Sequence, residues 1–163
     1  MQLVHYSHEP VLAVHSVKQS DETETYGKPK GFWISVDGNG DGWRDWCEGE
    51  EFRLKSLTHV HDITLADNAN ILSLNGPYGI DNFTRQFGVS DPYGFKKIRW
   101  RDVAAQWQGI IIAPYVGSRR LCGGADWYYS WDRASGCIWD ADAIASITLR
   151  EVVPVKVSSR EAA

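Results

Sequence analysis

Apolar and polar residues alternate in "QLVHYS" at the start of the chain and again in "GFWISV", an aromatic and β-branched run bounded by glycine; both patterns predict strands. Between them, Pro10 in "HEPVLAVHSV" is placed to open a helix, and "KQSDETETYGKPK" reads as a polar surface loop. Trp43, Trp46 and Cys47 then fall at i, i+3 and i+4, the spacing of a helical turn or two. "THVHDITLA" and "ANILSLN" predict two strands joined by a tight connection through Asp67 and Asn68. Ile80, Phe83 and Phe87 share one face of a helix that Gly88 stops. Trp100, Val103, Ala104 and Trp107 keep the i, i+3, i+4, i+7 rule of a second helix, ended by Gly109. "IIIAPY" predicts a buried strand, "SGCIWDADAIASITLREVVPVKV" a strand, a turn and a strand, and the last residues fray.

Residues 116–134 break this order: they have no clear period, several glycines and a group of large aromatics, the profile of a functional loop. No internal repeat and no linker interrupts the rest. The expectation is one α+β domain over residues 1–157 with a frayed tail at 158–163. Its core is a mostly antiparallel, split β-sheet with a few short helices.

Composition narrows the partners. A chain of 163 residues, 43% hydrophobic and 23% charged, fits one soluble globular domain. The net charge of -4 argues against an extended phosphate-binding surface, so a protein partner is expected before a nucleic acid. Cys47, Cys122 and Cys137 are odd in number, lack metal-ligand spacing and follow no signal peptide, which points to a reduced cytoplasmic setting. "GIIIAP", the longest apolar run, is far too short to span a bilayer. Eight Trp and seven Tyr exceed what core filling requires, so some are expected to line a pocket.

"DGNGDGWRDWCE", residues 37–48, has the oxygen spacing of a calcium loop in Asp37, Asn39, Asp41, Asp45 and Glu48, with Gly42 at the sharp turn. A strand rather than a helix precedes it, Arg44 occupies the apolar position and the chain has no second hand. The stretch therefore reads as a polar strand-to-helix turn, with no metal expected. His59 and His61 read as two exposed imidazoles without a third ligand, and "SRR" at 118–120 as a solvated loop end. No P-loop, GxGxxG, HExxH or GxSxG is present.

What remains is a distributed order of "HYS" in the first strand, "GFWIS" in the second, "WRDWC" after it, then "WQGIIIAPY", the aromatic loop and "SGCIWDADAIASI". This order resembles the ADP-ribosyltransferase superfamily, whose members use NAD as substrate and include many small toxins, effectors and phage-encoded modifiers. The resemblance implies that His5, Tyr6 and Ser7 hold the nicotinamide amide and ribose hydroxyls, and that Trp43 or Trp46 stacks on nicotinamide. It places "GFWIS", with Trp33 and Ser35, on the family's second strand. The family's catalytic glutamate falls at Ser135, which carries no carboxylate; Asp132, three residues earlier, reaches the site if the loop folds back.

The chemistry stands apart from the name. Cleaving a nicotinamide glycosidic bond needs a flat aromatic slot, hydroxyl contacts to ribose and negative charge beside the developing cation. Trp33, Trp46 and Tyr128 are candidates for the slot, His5, Ser7 and Ser35 for the hydroxyl contacts, and Asp132 for the charge. The leading expectation is an NAD-dependent transferase acting on a macromolecule. The other is a non-enzymatic binding or inhibitor protein on the same scaffold, contacting a protein through the aromatic loop 116–134.

Overall fold

In the computed structural model, residues 2–20 and 27–154 are described; the tail at 158–163 and the end of the predicted last strand lie outside them. The strands are β1 (Gln2–Ser7), β2 (Phe32–Asp37), β3 (His59–Leu65), β4 (Ile71–Leu74), β5 (Gly88–Ser90), β6 (Lys96–Ile98), β7 (Gly109–Ile112), β8 (Ser135–Ile138) and β9 (Ile144–Val152). The helices are α1 (Trp43–Gly49), α2 (Pro77–Phe87), α3 (Trp100–Ala104) and α4 (Gly117–Arg120), with 3-10 turns at Leu54–Leu57, Asp126–Ser130 and Ala141–Ala143. Seven strands form one sheet in the order β4-β7-β8-β2-β1-β3-β9, antiparallel except for the β4–β7 pair. The protein is thus α+β, with a mostly antiparallel sheet and short helices, as the pattern predicts.

The sheet is covered on both faces where it is most apolar. Along β7, Ile110 and Ile112 join the aromatic cluster of Trp100, Trp127 and Trp131, while Ile111 joins Leu3, Ile34, Val36 and Ile138 on the other side. This is the period-two alternation of a strand, and it explains why "GIII" shows no polar break. Each fully buried aliphatic side chain of this kind contributes about 1.5–3 kcal/mol. α2 lays Ile80, Phe83 and Phe87 into the aromatic cluster.

Several expectations change. Residues 8–20 form no helix: the Val17 N–H goes to the Trp139 carbonyl at 2.8 Å, and the Val11 N–H goes to His61 Nε2 at 3.1 Å. These tertiary acceptors take amides that a helix needs for itself. β3 and β4 exist but are not neighbours, because four strands lie between them in the sheet. Residues 66–70 bridge that distance; Leu65 to Ile71 reaches about 20 Å at full extension, against about 24 Å for the strand spacings of a flat sheet. The sheet must therefore curl out of a flat plane to bring these ends together. α3 stops at Ala104, and Gly109 begins β7, where a Cβ would lie 2.6 Å from Ile138 Cδ1. The hairpin of β5 and β6 was not foreseen.

Candidate functional site

The register of β1 creates an opening. Gln2, Leu3 and Val4 pair with Asp37, Val36 and Ser35 of β2, whereas Val4 to Ser7 pair with Asp62 to His59 of β3. The other half of β2, Phe32 to Ser35, pairs instead with β8. Past Val4 the two strands therefore diverge, each held by a different neighbour. A cleft of about 370 Å³ lies there, within the range of small-ligand sites. It is lined by His5, Tyr6, Trp33, Ser35, Trp43, Asp132 and Ser135, among others.

His5 spans the divergence. Its Nδ1 lies 2.7 Å from the Trp33 carbonyl, which can only accept, so Nδ1 carries the proton. Its ring stacks on Phe32 at 4.3 Å. Burial lowers its pKa, opposed by the Trp33 hydrogen bond and reinforced by His61. The neutral ring leaves Nε2 as an acceptor. His61 is 1% exposed rather than solvated, its Nε2 taken by Val11.

The turn after β2 builds the next wall. The Asp37 carboxylate accepts from Tyr6 Oη and, at 2.5 Å, from Ser35 Oγ; Ser35 Oγ in turn accepts the Trp43 N–H at 2.8 Å. Ser35 is thus spent on fixing the start of α1, and with it Trp43. Gly42 is required, since a Cβ there would meet Asp37 Oδ1 at 2.5 Å and Ser35 Oγ at 3.2 Å. Asp41 Oδ2 accepts the Tyr115 N–H at 2.9 Å. Two carboxylates of the calcium-like spacing therefore serve the protein's own donors.

The loop does fold back. The Val36 N–H bonds to the Ala134 carbonyl at 3.0 Å and the Ala134 N–H to the Asp41 carbonyl at 3.0 Å, which lays residues 132–134 against β2. Asp132 thereby enters the cleft, where Arg120 Nη2 donates to its Oδ1 at 2.8 Å. Ser135 also lines the cleft, its hydroxyl donating to the Arg133 carbonyl at 2.9 Å.

Three proposed residues fall elsewhere. Tyr128 is fully buried, its hydroxyl accepting the Val116 N–H at 3.0 Å, so it is a core residue and not part of a slot. Trp46 packs on Trp43 at 4.9 Å and on Phe52 at 5.2 Å, supporting the cleft wall without lining it. Ser7 Oγ donates to the Glu9 carbonyl at 2.6 Å, outside the lining. The loop's aromatics are not a display surface either: Trp127, Tyr128 and Trp131 are buried, and Tyr129, 58% exposed, faces water. Nor is "SRR" a merely solvated end, since Arg119 clasps Asp81 with two bonds of 2.7 Å.

Sequence reasoning passed over the cations of the cleft: Lys28, Arg53 and Arg133 all line it. Lys28 Nζ stands 5.0 Å from the centroid of the Trp33 ring, and burial lowers its pKa against the pull of Asp132. Neither Lys28, three residues ahead of "GFWIS", nor Arg53, remote from it in sequence, is marked out by any local pattern. Comparison with protein-family models, with curated proteins and with solved structures finds no match.

Proposed function

We propose that the cleft binds NAD and that the protein transfers ADP-ribose from it to a macromolecular acceptor, a protein before a nucleic acid. The observation that carries this reading is the meeting of His5, Trp33, Trp43 and Asp132 at the place where β1 and β2 part. Trp33 and Trp43 offer flat apolar surface to the nicotinamide ring. His5 Nε2 can accept from a ribose hydroxyl, as the tautomer fixed by Trp33 requires. Asp132 supplies negative charge as the bond from ribose C1 to the nicotinamide nitrogen breaks and positive charge grows on the sugar. Nicotinamide leaves neutral with the bonding electrons, an acceptor oxygen or nitrogen bonds to C1, and the acceptor's proton passes to solvent or to a base. Stabilisation by one carboxylate is worth about 3–4 kcal/mol, so Asp132 decides the rate.

A non-enzymatic binding protein is the second reading. Ser135 in place of a carboxylate favours it, as does the engagement of Asp132 by Arg120. Incubation with labelled NAD, with and without cell lysate, separates the two. Released nicotinamide or labelled macromolecule in the wild type, reduced about a hundredfold or more by Asp132→Ala, is the expected result. Equal silence of both proteins, with no thermal shift on adding NAD, removes the enzymatic reading.

A further inference from the structure

The cleft holds more positive charge than its own carboxylate can balance. Its lining has three cations, Lys28, Arg53 and Arg133, against Asp132, and that carboxylate already receives Arg120. Among the described residues, no carboxylate comes within ion-pair distance of Lys28, Arg53 or Arg133. Lys28 and Arg133 are half-buried, each over an aromatic ring, Trp33 at 5.0 Å and Tyr115 at 5.9 Å. Charge withdrawn from water is normally paired in a native protein, and a ring face offsets only part of that cost. The protein as a whole carries a net charge of -4, so this surplus is local and runs against the overall balance.

The three side chains come from three separate segments: the approach to β2, the connection from α1 to the 3-10 turn at Leu54–Leu57, and the approach to β8. Their convergence is a property of the fold and not of one charged run. Arg53 adds a second kind of observation. Its backbone is left-handed, with φ of 50°, as is that of Glu51 with φ of 51°. Such a conformation is costly for a residue with a Cβ, and persists where the surroundings hold it. Here Phe52, edge-on to Trp46 at 5.2 Å and to Trp43 at 6.4 Å, anchors the turn between the two strained residues. The Ser56 N–H and hydroxyl both bond to the Arg53 carbonyl, at 2.8 and 2.7 Å.

We propose that Lys28, Arg53 and Arg133 form an anion subsite that grips the diphosphate of a nucleotide ligand. A diphosphate ester carries two negative charges at neutral pH, and its acceptor oxygens on two phosphorus atoms can be shared among cations arriving from different directions. Lys28, close to the Trp33 ring, puts the phosphate grip beside the aromatic wall. The strained turn is retained because it delivers Arg53 to the rim. The subsite rests on the cleft being a nucleotide site and not on the transfer step.

Titration calorimetry with ADP-ribose, inorganic pyrophosphate and nicotinamide riboside, which has no phosphate, tests this on the full chain. Pyrophosphate is expected to compete with ADP-ribose. Lys28→Met, Arg53→Gly and Arg133→Met should each weaken ADP-ribose about tenfold or more and should not weaken nicotinamide riboside, itself a cation that loses a repulsive neighbour. Arg53→Gly should also raise the thermal midpoint while losing affinity, which separates relief of strain from damage to the fold. Should a variant not fold, the wild type alone still decides: pyrophosphate should protect Lys28 from reductive methylation, read by mass spectrometry. The subsite is overturned if pyrophosphate neither competes nor protects, or if the folded variants bind ADP-ribose as the wild type does. A protein that binds ADP-ribose in this way but releases no nicotinamide from NAD keeps the subsite and loses the transferase reading.

Discussion

Trp131 packs within 4.9 Å of Trp33 and is fully buried, whereas Trp43 lines the cleft that Trp33 also lines and is half-exposed. One ring faces tryptophan and tyrosine on several sides, with Trp127 at 5.7 Å and Tyr128 at 6.2 Å. The other has Trp46 and Phe52 behind it and the opening of the sheet in front. The same side chain closes a core in one place and leaves a wall unfinished in the other. What separates them is the register of β1: a ring becomes available to a ligand where its strand or helix borders a gap in the ladder.

The contrast can be broken most forcefully from the core side. Trp131→Ala should cost about 3–5 kcal/mol, because it empties a space that Trp100, Trp127 and Tyr128 cannot refill. Urea denaturation would show it as a lower midpoint at similar slope, and a loss under about 1 kcal/mol would mean that the cluster collapses freely. Trp43→Ala should do the reverse. Its stability cost should stay near 1 kcal/mol, while NAD binding at the proposed site should weaken by about 1–3 kcal/mol, the contribution of a stacked ring. Comparable damage to stability and affinity would place Trp43 with the core.

The smallest effect concerns the histidines of the cleft wall and the strand beside it. Burial lowers the pKa of His61, opposed by the His5 backbone and reinforced by His59, and burial likewise lowers that of His5. The unfolded chain, with histidines titrating near 6.5, therefore takes up protons before the folded one. Stability carried by the neutral rings is complete above about pH 6.5 and declines as pH falls from there toward the folded values. His61→Gln keeps an acceptor for the Val11 N–H without the titration, so its thermal midpoint should change less between pH 7 and pH 5.5 than that of the wild type. Parallel slopes would take His61 out of the account.

Much of the fold was legible because local pattern and tertiary demand agreed. "GFWISV", α2 and the strand-turn-strand at the end form as their periods predict. Where they disagreed, a distant partner won: the Trp139 carbonyl and His61 hold residues 8–20 out of a helix, and Ile138 takes Gly109 into a strand. Aromatic residues were the hardest to place, because sequence cannot tell a ring that fills from a ring that waits. Trp33, Trp43 and Asp132 reach the cleft, yet Tyr128 belongs to the core, since its hydroxyl finds a backbone amide there. Lys28, Arg53 and Arg133 were invisible as a group, for charge that converges through three segments leaves no mark on any one of them.

Five of the eight indoles form one connected network of rings: Trp33 to Trp131 at 4.9 Å, Trp131 to Trp127 at 5.7 Å and to Trp100 at 6.3 Å, and Trp100 to Trp139 at 6.3 Å. Indoles at such separations exchange electronic excitation, so light absorbed anywhere in this network of rings is shared among its members. Trp33 is the end that borders the cleft. The core is therefore optically coupled to one wall of the cleft, and a quenching molecule bound against Trp33 is expected to dim more of the protein's ultraviolet emission than that residue alone supplies.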